Sequence, residues 1–164
     1  MLKDERALAA GAALLAISAL LLALGIERFG HLVPCALCLV ERWPYRIAVA
    51  LGAVACVAPR PTARWLLWAM AACLLAGAAV AFVHVGVEQG WWPSPLPECA
   101  APTFGGGSIA ERLARMPARP AKPCDEPTFL LPGVPLSMAA MNLLFALAVA
   151  GFLAISMTKL RRLP

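Results

Sequence analysis

Apolar residues gather along this chain into four long stretches, at about residues 7–26, 39–58, 65–85 and 137–157. Each holds roughly 20 mostly apolar positions, the length that crosses a ~30 Å hydrocarbon layer as a helix. Helices satisfy their own backbone groups in lipid, so the pattern predicts an all-α membrane protein. Four such stretches predict a four-transmembrane-helix bundle in one domain spanning residues 1–164. The intervening segments differ in length: about 27–38, a tight Pro59-Arg60-Pro61-Thr62 turn that forces an antiparallel hairpin, and about 86–136.

The last of these is rich in proline, from Pro93 to Pro135, and resists regular structure. Within it, Ser108-Ile109-Ala110-Glu111 is a capping box. It predicts a short amphipathic helix with Leu113 and Met116 on one side and Arg112 and Arg115 on the other. Gly105-Gly106-Gly107 precedes it as a hinge. A phosphate-cradling loop would need a following Lys and a preceding strand, and neither is present.

Composition supports the lipid-facing reading, because 62% hydrophobic and 14% charged residues exceed what a soluble core of 164 residues can bury. The formal charge of +5 then reports orientation and not nucleic-acid binding. Lys3, Arg6, Arg60, Arg64, Lys159, Arg161 and Arg162 crowd into three short segments at span ends, whereas the other basic residues are spread thinly. That density predicts cytoplasmic N- and C-termini, with the segments near 27–38 and 86–136 outside the cytoplasm. Lys3 and Arg6 ahead of an apolar run also suggest a secretion signal, but its length and the three later spans favour a retained span.

Six cysteines divide by position. Cys56 and Cys73 fall inside spans and read as small apolar residues. Cys35 and Cys38 have the spacing of a redox dithiol, with no trailing His for haem attachment, although CxxC also serves as half of a zinc site. Cys38 opens the second span, where the helix dipole and Arg42, one turn later, would favour its thiolate. Cys99 and Cys124 close a loop of about 25 residues. They would act as a crosslink or, in a segment with little structure to hold, as an exposed and exchangeable disulfide.

The run Cys35-Ala36-Leu37-Cys38-Leu39-Val40-Glu41-Arg42, then Trp92-Pro93-Ser94-Pro95 leading to Cys99, then Cys124-Asp125 and a fourth span, resembles the DsbB family over nearly the whole chain. The resemblance implies a bacterial inner-membrane enzyme that reoxidises a periplasmic DsbA-like thioredoxin-fold oxidase and passes the electrons to the membrane quinone pool, ubiquinone or menaquinone. It implies that Cys99 and Cys124 take electrons from the soluble partner and that Cys35 and Cys38 pass them on, with Cys38 against the quinone ring and Arg42 helping to bind it. Arg46, one turn beyond Arg42, would add to a positive quinone pocket. His84 and Glu88, one turn apart, would serve the quinone's proton chemistry or form a plain interfacial pair. Pro44 removes an amide donor near the helix start. Trp91 and Trp92 read as interface anchors, as do Trp43 and Tyr45. A partner near -120 mV is an oxidant that ordinary disulfides cannot regenerate, which is why a quinone is needed.

Two other readings compete. One is a non-enzymatic zinc or scaffold protein holding a metal between Cys35, Cys38, Cys99 and Cys124. The other is a quinone-epoxide reductase of the VKOR type, in which the CxxC belongs near the last span and not before the second.

Overall fold

The computed structural model describes residues 2–99, 108–114, 122–130 and 133–162. Among these the chain is helical, with one isolated bridge between Phe129 and Ser137. The helices are α1 (Leu2–Phe29), α2 (Ala36–Val40), α3 (Arg42–Val57), α4 (Arg60–Glu88), α5 (Ile109–Ala114) and α6 (Met138–Arg162), with a single 3-10 turn at Pro97–Cys99 before α5. Three stretches are long and apolar enough to cross a membrane: Glu5–Phe29, Arg60–Glu88 and Met138–Leu160. They coincide with the expected first, third and fourth spans, the fourth beginning one residue later at Met138, and run past most of their ends because charged end residues continue the helical hydrogen bonding.

The second stretch departs from expectation. The predicted continuous helix over 39–58 is broken at Glu41 into α2 and the 16-residue α3. Pro44 is the cause: it has no N–H to donate to the Val40 carbonyl, and its ring crowds that carbonyl. Glu41 is left at the break and turned inward, 7% exposed. A carboxylate so deeply buried requires partners.

Helix α3 packs between α1 and α4, and α6 lies along α4. The shared interior is built from small residues, among them Ala9, Ala12, Ala16, Ala48 and Ala55. Leu14, Leu21, Leu144, Phe152 and Ile155 are exposed. That inversion suits lipid, where turning a leucine inward gains little and close backbone approach gains packing. Gly52 marks the closest approach of α1 and α3, since a Cβ there would lie 2.8 Å from Ala13 Cβ and 3.2 Å from the Ala9 carbonyl oxygen. The α3–α4 turn is shorter than expected, with α4 beginning at Arg60 and Pro61 in its first turn, where a missing N–H costs nothing.

Cys56 and Cys73 behave as the sequence predicts, each half-buried, with the thiol directed at a backbone carbonyl, that of Arg6 at 3.9 Å and that of Pro44 at 3.5 Å. The capping box forms: the Glu111 N–H donates to Ser108 Oγ at 3.3 Å, and the Ser108 N–H to Glu111 Oε2 at 3.0 Å. The Gly105-Gly106-Gly107 hinge, Arg115, Met116 and the side chains of Arg112 and Leu113 lie outside the described residues.

Candidate functional site

The CxxC sits where the segment after α1 turns into α2. Cys35 is the N-cap of that short helix, and its Sγ accepts the Cys38 N–H at 3.3 Å. The two sulfurs are 2.9 Å apart and unbonded, so this pair is reduced. Hydrogen bonding with the Cys38 side chain and N–H holds the Cys35 thiol below its ordinary range, against the opposing effect of burial. The helix start expected at Cys38 is therefore taken by Cys35, whose sulfur accepts the N–H there. The helix begins earlier than expected, at Ala36, so Cys35 caps the turn and Cys38 lies inside it.

Behind Cys35 runs a chain of buried polar groups that joins four elements. His84 of α4 brings Nε2 to 3.5 Å from Cys35 Sγ, and its Nδ1 lies 2.6 Å from Glu41 Oε1. A carboxylate accepts, so Nδ1 carries the proton and Nε2 presents its lone pair to the sulfur. The other Glu41 oxygen accepts from Asn142 Nδ2 at 2.6 Å, and Asn142 Oδ1 accepts from the Tyr45 hydroxyl at 2.6 Å. Tyr45 is thus an interior hydrogen-bonding residue and not an interface anchor. Glu41 and Asn142 carried no signal of this role in the sequence, because their partners are 43 and 101 residues away. Glu88, one turn from His84 and lining the same small cavity, accepts a hydrogen bond from Ser137 Oγ.

Cys99 and Cys124 are joined as a disulfide. The four-cysteine zinc site is not formed, because two of its sulfurs are bonded to each other. The expected exposure of this disulfide is also corrected: Cys99 is 4% and Cys124 1% exposed. Both pack with Cys35, Leu37 and Val87 in one buried cluster, which Trp92 and Leu96 flank. Trp92 is fixed there by donation from its Nε1 to the Val83 carbonyl at 3.0 Å. It packs the site and is not a membrane anchor, whereas Trp91 stays exposed. A Cβ on Gly86 would overlap the Trp92 ring. Gly86→Val is accordingly expected to dislodge Trp92 and to speed reduction of the Cys99–Cys124 disulfide by a small thiol roughly tenfold, measured by thiol release.

Cys38, at the edge of this cluster, also lines a cavity of about 530 Å³ between α1, α3 and α6. Its walls are apolar, including Leu20, Ile26 and Phe145, and Cys38, Arg42 and Asn142 supply polar groups. The volume and the few convergent polar groups suit a drug-sized apolar ligand with hydrogen-bonding oxygens. Arg42 makes a two-pronged pair with Glu27 of α1, through Nη1 to Oε2 at 3.1 Å and Nη2 to Oε1. Its charge is thereby shared with Glu27 and not directed at Cys38 alone. Arg46 is not among the lining residues: it is exposed and stacks over the Trp43 ring, with Cζ 5.3 Å from the ring centroid.

Helices of membrane-crossing length that hold a reduced dithiol against a buried disulfide define a thiol–disulfide oxidoreductase of membranes. The family model described as "Disulfide bond formation protein DsbB" matches residues 5–156, and the chain belongs to that family. It is accordingly an inner-membrane oxidoreductase of disulfide formation. Comparison with curated proteins and with solved structures found no match.

Proposed function

We propose that the chain is a thiol:quinone oxidoreductase that reoxidises a periplasmic DsbA-like dithiol oxidase and delivers the electrons to ubiquinone or menaquinone. The observation that supports this best is the placement of the four sulfurs: Cys35 is buried in one cluster with the Cys99–Cys124 disulfide, while Cys38, at the edge of that cluster, is the one that lines the large cavity. In this reading α2 and α3 together make the second span, bringing the number to four, since residues 36–57 cover roughly 30 Å of helix. Both termini are cytoplasmic, and the segments 27–38 and 86–136 are periplasmic.

Electrons enter when the partner's dithiol exchanges with Cys99–Cys124, forming the partner's disulfide and leaving two thiols on this chain. Those thiols exchange with a Cys35–Cys38 disulfide and regenerate the loop disulfide. The arrangement described above, reduced at Cys35 and Cys38 and oxidised at Cys99 and Cys124, is the stage at which two electrons wait beside the cavity. A quinone bound in that cavity supplies a two-electron, two-proton acceptor. Around it Leu20, Ile26 and Phe145 exclude water, and Arg42, held by Glu27, presents donors at the polar end. His84 accepts the Cys35 proton at Nε2, with Glu41 fixing the ring. Glu88, lining the smaller neighbouring cavity with His84, lies near that proton's exit.

The deciding experiment is anaerobic titration of the purified protein and its dithiol partner with each quinone. One quinone reduced per partner disulfide formed is expected. Partner oxidation without quinone reduction would overturn the proposal. Arg42→Gln is expected to raise the KM for quinone by about 10-fold, through loss of a charged donor, with a smaller effect on kcat. Steady-state kinetics over a quinone series checks it.

A further inference from the structure

The three groups that face one another at the reduced site are also a metal-ligand set. Cys35 Sγ, Cys38 Sγ and His84 Nε2 all lie within 4.8 Å of one another. Around zinc, with bonds of about 2.3 Å to sulfur and 2.0 Å to nitrogen, tetrahedral ligand atoms stand roughly 3.5–3.8 Å apart. The Cys35–His84 separation of 3.5 Å already meets this. The sulfurs, at 2.9 Å, need to part by about 1 Å, and half-buried Cys38 borders cavities on both sides into which it can move.

Two further observations point to a ligand and not to mere proximity. The Glu41 carboxylate on His84 Nδ1 is the carboxylate–histidine arrangement that orients imidazoles toward metals and raises their basicity. A cavity of about 40 Å³, separate from the large one, is lined by Cys35, Cys38 and His84 themselves, with Glu88 beside them. It leaves room for one water or one sulfur as a fourth ligand.

We propose that the reduced chain binds one thiophilic divalent cation of the zinc class through Cys35 Sγ, Cys38 Sγ and His84 Nε2, and that the cation arrests the chain in its reduced state. Thiolate and imidazole ligands select zinc or cadmium over magnesium or calcium. Binding exchanges the two thiol protons, released to solvent, for two metal–sulfur bonds, and no electron moves. Oxidation of the pair to a disulfide consumes both thiolates, so the site exists only while electrons wait at Cys35 and Cys38. The binding stands by itself; its inhibitory consequence rests on the relay proposed above, because it occupies the same sulfurs and the same lone pair.

The test uses the full chain with Cys99→Ala and Cys124→Ala, so that no loop thiol contributes, purified in detergent and titrated with Zn2+ or Cd2+ alone. In the reduced protein one cation per chain is expected, with a thiolate-to-cadmium ultraviolet band. His84→Ala should weaken binding by more than about 100-fold and Glu41→Gln by about 10- to 100-fold. Helical circular dichroism establishes that each variant is folded, and Glu41→Gln serves if His84→Ala is not. Binding that is absent from the reduced chain, survives formation of the Cys35–Cys38 disulfide, or is equally tight without His84 or with Gln at position 41 would overturn the proposal. The titration contains neither quinone nor partner. A chain that binds the cation but reduces no quinone would sink the relay and leave the metal site standing, and the converse result would do the reverse.

Discussion

Cys38→Ser is expected to lower quinone reduction driven by the dithiol partner by at least about 1000-fold, since it removes one of two groups that act as a unit. The geometry makes the loss specific. Among the described residues, Cys38 is the only one of the four relay sulfurs that lines the large cavity, and Cys35 is the fully buried member of the pair in the cluster with the loop disulfide. A Cys38→Ser chain therefore keeps its contact with the donor side. Cys35 should be detectable in a mixed disulfide with Cys99 or Cys124, the other loop cysteine leaving as a thiol, because Cys38, the thiol that would resolve the link as the Cys35–Cys38 disulfide, is gone. Peptide mapping without reductant detects that link. Cys35→Ser should be equally inactive and show no such link. A Cys38→Ser variant that reduces quinone at the normal rate would remove the basis for assigning Cys38 to the acceptor side.

The sequence carried the parts of this site that depend on local spacing. Apolar run lengths identified the membrane class, CxxC identified the reduced pair, and Ser108 with Glu111 identified a helix start that forms as drawn. Pro44 was visible as a lost amide, but its consequence was not. The early helix start at Ala36 changed which cysteine caps the helix, and the interruption at Glu41 turned a carboxylate into the interior. Spacing could not reveal where that carboxylate would land, because His84 and Asn142 arrive on α4 and α6 from far along the chain. Arg42 illustrates the same limit. Its position one turn after Cys38 suggested a charge acting on the sulfur, whereas Glu27, 15 residues earlier and on α1, claims both prongs of the guanidinium.

His84 and Glu41 carry the second large prediction. A base within reach of a thiol contributes typically about 10²–10⁴ in rate, so His84→Ala is expected to reduce electron transfer from Cys35 and Cys38 by at least about 100-fold. Glu41 touches neither sulfur by hydrogen bond; it positions His84 by accepting Nδ1–H and is itself held by Asn142. Glu41→Gln preserves the size and one acceptor oxygen but removes the charge that fixes the tautomer, and a loss of about 10- to 100-fold is expected. A purely structural role for either residue would lower activity by the same factor at every pH. A proton-accepting role would not. As pH rises, the Cys35 thiol ionises without assistance, so the deficit of His84→Ala relative to the parent should shrink toward alkaline pH and widen toward acid. Stopped-flow quinone reduction across pH, begun from chemically reduced protein, reads this ratio directly. A deficit that stays constant across the range would confine His84 to packing and leave Cys35 without a base.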